Sequence, residues 1–449
     1  MSEKFINTSS LIKSALSIMQ RDAFVQIINI LTGVIVARSL GPEILGIWVI
    51  LSLISAYAES FGRLKTDISS VYFLSSGKAK QEEVLFSTTL FALLSSLIIV
   101  LLTLWQIEFI QELLFKKSEL DFTTELTLII LLIPFEFLLL NYSYFFISLE
   151  NVKSFNKIKV LQAILNFSLI ILLIFYFNLT LWALVIARML STLITLGYSW
   201  NNINRSGWIK LSDRWNLSIT KKILSYALNF YLIGIIGSIN RLTIRSLSAL
   251  SLNFSQLAFY NQGEAASRLM NIIPNSVEVI LYPKISKLEE KDAALEIACV
   301  SFRVTLLALI IVGMTLFLIA NPLIIFLYGI EFEKTAEVLK IAIPGIIVGS
   351  SCLSIKSFFE GKGQANLIPK LQIIPVILQI LIAYFLINSY GLIGAAVSFS
   401  LGSALYGIVI FVAFIKINKL SFFRVIPQIG DIKLIYNISV QKVVNKKWQ

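Results

Sequence analysis

An all-α polytopic membrane protein, with about twelve transmembrane helices in two six-helix lobes, is the fold class this sequence predicts, and three observations predict it. Hydrophobic residues fill 57% of the 449 positions and charged residues only 14%, with a mean hydropathy of +0.83, whereas soluble domains carry about 25% charge. Apolar stretches of the length that crosses a hydrocarbon core as a helix, about 20 residues, recur along the whole chain. The two halves of the chain also repeat each other at a nearly constant offset.

The spans fall near 22–40, 44–62, 84–105, 126–149, 156–177, 180–199, 222–247, 254–283, 296–320, 335–357, 367–388 and 391–416. With a cytoplasmic N-terminus, 28 of the 38 Lys and Arg residues lie on inner loops, inner span ends and the termini, and only Lys116, Lys117 and Lys334 lie outside. Basic residues mark the cytoplasmic side, so both termini are expected in the cytoplasm. Residues 1–21, with Lys4, Lys13 and Arg21 around a weakly amphipathic run, read as a surface helix and not as a cleaved signal.

At an offset of 210 residues, Glu150, Asn156, Leu161, Gln162, Phe175 and Asn178 fall on Glu360, Asn366, Leu371, Gln372, Phe385 and Asn388. At 212, Ser39-Leu40, Leu45 and Trp48 fall on Ser251-Leu252, Leu257 and Tyr260. Six spans per half keep the halves in one orientation, a parallel internal repeat of the kind secondary transporters use. The expected organisation is a first lobe over 22–200, a cytoplasmic linker over 201–221, a second lobe over 222–416 and a basic tail over 417–449.

Composition excludes several chemistries. The chain has no histidine, which removes imidazole zinc sites, Ser-His triads and histidine-dependent acyl transfer. Cys299 and Cys352 sit in apolar sequence and form neither a disulfide framework nor a metal cluster. No metal or cofactor is expected, and any proton chemistry falls to carboxylates. The net charge of +12 is read as topology and not as a nucleic-acid surface.

A charge at the bilayer centre costs about 2.5 to 3.5 kcal/mol on insertion scales, so charges inside spans mark paired or water-lined places. The richest stretch is 251–283, where Glu264 and Arg268 lie at mid-depth, four residues apart on one helix face. Arg38, Arg188, Arg241 and Arg245 lie in the outer halves of spans one, six and seven. Together with Arg268 they form a candidate anion site, because guanidinium offers paired donors that match phosphate oxygens. The opposing reading is that each Arg is neutralised by a neighbouring Glu and ties helices together. Glu136, with no basic neighbour within a turn, is the first candidate to carry a coupling proton, followed by Glu59 and by Glu264, which otherwise pairs with Arg268. Tyr231, Phe230 and Tyr260 are candidates to stack on sugar.

The run Ala37-Arg38-Ser39-Leu40-Gly41-Pro42-Glu43-Ile44-Leu45-Gly46-Ile47-Trp48, the Leu327-Tyr328-Gly329 followed by Phe332 and Ala336, and Tyr390-Gly391-Leu392-Ile393-Gly394-Ala395-Ala396 resemble the polysaccharide-transporter branch of the multidrug/oligosaccharidyl-lipid/polysaccharide (MOP) exporter superfamily, which includes Wzx-type O-antigen flippases. The resemblance covers about residues 8 to 416 and implies a MATE-like fold, no enzymatic activity, and two lobes rocking about a cationic central cavity. The cargo it implies is a polyprenyl-pyrophosphate-linked oligosaccharide, an O-antigen or capsule repeat unit, moved from the cytoplasmic to the outer leaflet. Partners are then the lipid-linked oligosaccharide, membrane lipid and a polysaccharide polymerase, with no nucleic acid, and any coupling ion is H⁺ or Na⁺. Two alternatives stand beside it. A drug or organic-cation antiporter on the same fold requires an acidic cavity. A membrane glycosyl transferase or repeat-unit polymerase requires catalytic carboxylates such as Glu108, Glu112, Asp121 and Glu125 on the longest outer loop.

Overall fold

The computed structural model describes residues 8–116, 118–205 and 216–428, with the side chains of 8–16, 229–230, 232–233, 236 and 240–241 outside that description. The described residues form helices and no strands: α1 (Thr8–Gly62), α2 (Thr66–Ser75), α3 (Gln81–Trp105), α4 (Ile107–Phe115), α5 (Thr123–Ser148), α6 (Val152–Phe175), α7 (Leu181–Arg205), α8 (Leu217–Ser251), α9 (Phe254–Arg268), α10 (Ile272–Lys287), α11 (Lys291–Tyr328), α12 (Glu333–Ser351), α13 (Leu353–Gly361), α14 (Leu367–Asn418) and α15 (Phe422–Val425). Eight helical stretches among the described residues are long and apolar enough to cross a membrane.

Two of those eight supply two passes each, because a glycine breaks them. Gly41 takes φ 77° and Gly391 φ 55°, backbone that a side chain disfavours. Pro42 follows Gly41, where its fixed φ suits the first position of a new helix. Adding α8, whose residues 223–240 carry no charge, and the α9–α10 pair, whose first helix is rich in polar residues, gives the expected twelve passes. From Thr8 onward, the segment expected to lead into the first span is helical and continuous with the first pass.

The chain forms two compact units, Met1–Ala258 and Phe259–Gln449. The division differs from the expected break at 201–221, because α8 packs on α1, α2, α3 and α4 of the first unit. Tyr226 of α8 stacks on Tyr72 of α2 at 4.3 Å, and the Tyr231 hydroxyl donates to the Phe61 carbonyl at 2.5 Å. Residues 206–215 of the expected linker, and 429–449 of the expected tail, lie outside the described residues.

In the first unit, Ala58, Ala92, Ile130, Ile133 and Phe137 bring α1, α3 and α5 together, and Tyr142, Phe145, Phe155 and Ile203 join α5 to α6 and α7. In the second, Leu281, Ile285, Phe302, Phe358 and Phe414 join α10, α11, α13 and α14. The α12–α14 seam depends on small residues. A Cβ on Gly345 would lie 2.2 Å from the Ser400 carbonyl oxygen, and one on Gly349 2.5 Å from that of Ser403. Lipid tails are as apolar as leucine, so close backbone approach through small residues replaces the hydrophobic effect as the source of helix attraction. The outward faces are apolar accordingly, with Leu101, Trp105, Leu318, Phe326 and Ile374 exposed.

Candidate functional site: two arginine, glutamate and aromatic trios

Arg268 ends α9. Its Nη2 and Nε donate to one oxygen of Glu264, at 2.7 and 2.8 Å, one helical turn back. Glu264 is buried, with 2% of its side chain exposed, while 37% of Arg268 stays open. The guanidinium carbon lies 5.1 Å from the ring centroid of buried Phe399 in the second half of α14. An arginine over an aromatic face gains about 0.5 to 2 kcal/mol, more as water is excluded. Immediately after Arg268 the helix tightens into a 3₁₀ turn, Leu269–Asn271, before α10 resumes. The Asn271 side-chain oxygen accepts from the Ser350 hydroxyl at 2.6 Å, which pins this turn to α12.

The first unit holds a matching arrangement. Arg188 of α7 donates through Nε and Nη2 to one oxygen of Glu136, both at 2.8 Å, and its guanidinium lies 5.7 Å from the ring centroid of Trp48 in α1. Both members are half-buried. The isolation expected for Glu136 is therefore corrected. No base lies near it in sequence, but helix packing brings α7 alongside α5.

Glu59 is paired too. Its carboxylate accepts from Arg63 Nη1 at 2.9 Å, and Arg63 Nη2 reaches Asp67 at 2.6 Å. Sequence reasoning passed over Arg63 and Asp67, although the four-residue spacing of 59, 63 and 67 signalled a ladder. The chain breaks helix between them, with Leu64 and Lys65 at φ 53° and 56°, yet Asp67 returns to the same side. A second unforeseen cluster joins α10 to α13: Lys356 lies 2.8 Å from Glu278 and 3.6 Å from Glu360, beside a cavity of about 510 Å³ that Tyr282 and Ala365 also line.

Of the remaining candidates, Arg38 is exposed on α1 and Arg245 is half-buried on α8. The side chain of Arg241, like that of Phe230, lies outside the described residues. Tyr260 is fully buried and offers no face to a ligand, and Tyr231 is committed to Phe61. Among the described residues no group of three or more His, Cys, Asp or Glu side chains could hold a metal ion. Ion-paired arginines with an open edge, mounted on membrane-spanning helices, can exchange a carboxylate for another oxyanion.

Long apolar helices of this kind define an all-helical, multi-pass membrane fold. Lipid II flippase MurJ in its inward closed conformation matches with a TM-score of 0.74 at 16% identity over 94% of this chain and 89% of that one. An inward-facing multidrug-resistance MATE family transporter of the MOP superfamily matches with a TM-score of 0.67 at 16% identity, over 88% of this chain and 96% of that one. The Vibrio cholerae MATE transporter VcmN in its bent form gives 0.60 at 14% identity, over 91% of this chain and 97% of that one. No curated protein matches. Residues 35–337 match the model of a family described as polysaccharide biosynthesis protein, and the chain belongs to that family.

Proposed function

We propose that this protein is a flippase, and not an enzyme, that moves a polyprenyl-pyrophosphate-linked oligosaccharide from the cytoplasmic to the outer leaflet by alternating access. The observation that carries the reading is Arg268: a guanidinium within a span, held by one carboxylate oxygen and one aromatic face, with more than a third of its side chain open. A pyrophosphate is the partner such a group takes best, because it offers several charged oxygens to paired donors. Membership of a polysaccharide biosynthesis family supports a sugar cargo, and similarity to a lipid II flippase supports a lipid-linked one. The cargo is an O-antigen or capsule repeat unit, and a polysaccharide polymerase would consume it on the far side.

Both chain termini face the cytoplasm of the bacterial inner membrane in this reading. A potential negative inside then favours outward movement of an anionic headgroup by about 2.3 kcal/mol per charge per 100 mV. Displacing Glu136 or Glu264 from its arginine leaves a carboxylate without its counter-ion in a span, where H⁺ or Na⁺ can compensate it, so coupling runs through those two residues and Glu59. A cation antiporter is less well supported, since Glu136 and Glu264 are each neutralised by arginine.

The test is deletion of the gene followed by extraction of lipid-linked sugars. Accumulation on the cytoplasmic leaflet is the expected result. Normal glycolipid with new sensitivity to cationic dyes would overturn the flippase reading in favour of the antiporter.

A further inference from the structure

Each trio uses its arginine in the same incomplete way. Nε and Nη2 go to a single carboxylate oxygen, and Nη1 of Arg188 and Nη1 of Arg268 make no hydrogen bond among the described residues. The guanidinium plane is set from one side by the carboxylate and from below by a ring, so the third nitrogen faces a direction the protein has fixed but not filled.

The sequence repeat adds a second, independent observation. Span two corresponds to span eight, with Trp48 falling on Tyr260, and span six corresponds to span twelve, with Arg188 falling on Ser398, next to Phe399. In the first unit span two supplies the ring and span six the arginine. In the second unit span eight supplies the arginine and span twelve the ring. Simple duplication would have kept each residue type on its own helix. The roles are exchanged, while the pairing of ring with arginine on corresponding helices recurs; the carboxylate comes from span four in the first unit, as Glu136, and from span eight in the second, as Glu264. An arginine that only needed neutralising would be served by its glutamate alone.

We propose that Trp48 and Phe399 are positioning residues, each holding the guanidinium plane of Arg188 or Arg268 so that its Nη1 edge receives an oxyanion of the phosphate class. This rests on the reading of the two arginines as the anion-binding groups. The ring does not touch the anion. It prevents the guanidinium from rotating about its terminal bonds when the carboxylate releases it, so the donors stay aimed through the exchange. The guanidinium fork is rigid in itself, and holding its plane fixes the direction in which that fork points. The cation–π contribution implies a loss of about five- to tenfold in affinity when the ring is removed.

The experiment uses the full-length protein in lipid nanodiscs and equilibrium binding of geranylgeranyl pyrophosphate, with geranylgeraniol as the probe lacking phosphate. Trp48→Leu and Phe399→Leu should each weaken pyrophosphate binding about five- to tenfold, while Trp48→Phe and Phe399→Tyr restore it and geranylgeraniol binding does not change. If the leucine variants bind pyrophosphate as wild type does while Arg188→Gln and Arg268→Gln bind it weakly, the positioning role is wrong and the anion reading stands. If the glutamine variants also bind normally, the anion reading fails and takes the positioning role with it. Equal loss of both probes in the leucine variants would mean the rings only pack, and would overturn the proposal. Should Phe399→Leu fail to fold, the half-buried Trp48 carries the same test.

Discussion

Arg188 and Glu136, 52 residues apart in sequence, meet at 2.8 Å where α7 crosses α5. That contact changes what each residue can be. Glu136 is a counter-ion with a fixed partner and not a solitary carboxyl, and the Arg188 guanidinium already holds a carboxylate.

Removing one partner of a half-buried pair leaves the other uncompensated, at a cost of about 3 kcal/mol. Glu136→Gln should therefore lower the thermal stability of the detergent-purified protein, and the double variant with Arg188→Gln should recover part of the loss. Additive losses in the double variant would show that the two side chains do not interact.

Arg268→Ala should abolish translocation while leaving the protein in the membrane at normal abundance, as read by leaflet-specific labelling of lipid-linked sugar and by immunoblot. Arg268→Lys keeps the charge and loses the planar fork, and should retain no more than about a tenth of the activity. Wild-type transport in the alanine variant would remove Arg268 from the mechanism.

Glu59 and Asp67 share Arg63 unequally. Asp67 keeps 4% of its side chain exposed and Glu59 52%. An exposed pair contributes about 0 to 1 kcal/mol, whereas breaking a buried one costs several times that. Asp67→Asn should thus destabilise the protein clearly more than Glu59→Gln in the same melting assay. The reverse order would contradict this account of the triad.

The α12–α14 seam predicts a sharp contrast between glycines. Gly349→Val places a side chain where the Ser403 carbonyl lies 2.5 Å from the first added carbon, and folded protein recovered from membranes should fall steeply. Gly197→Ala meets nothing within 4 Å and should express as wild type. Equal yields from the two would show that the seam tolerates separation.

The membrane class, the number of passes and the glycine breaks at 41 and 391 were legible in the chain, because burial in lipid is a local property of each stretch. The Glu264–Arg268 pair was legible for the same reason, since four residues on a helix fix a neighbour. Glu59–Arg63–Asp67 carried the same spacing and was readable in principle, although the turn at Leu64 and Lys65 hid its continuity.

What the sequence determined by itself is therefore the set of membrane-crossing helices and the charges each carries, both set by interactions within a few residues. Only the tertiary structure decided that α8 belongs with α1 to α4, that Glu136 is paired, and that Trp48 and Phe399 lie beneath Arg188 and Arg268. Those facts depend on which helix packs beside which and at what rotation. Along apolar helices that choice is made by small residues and close backbone approach, and the residues that meet there are far apart in the chain.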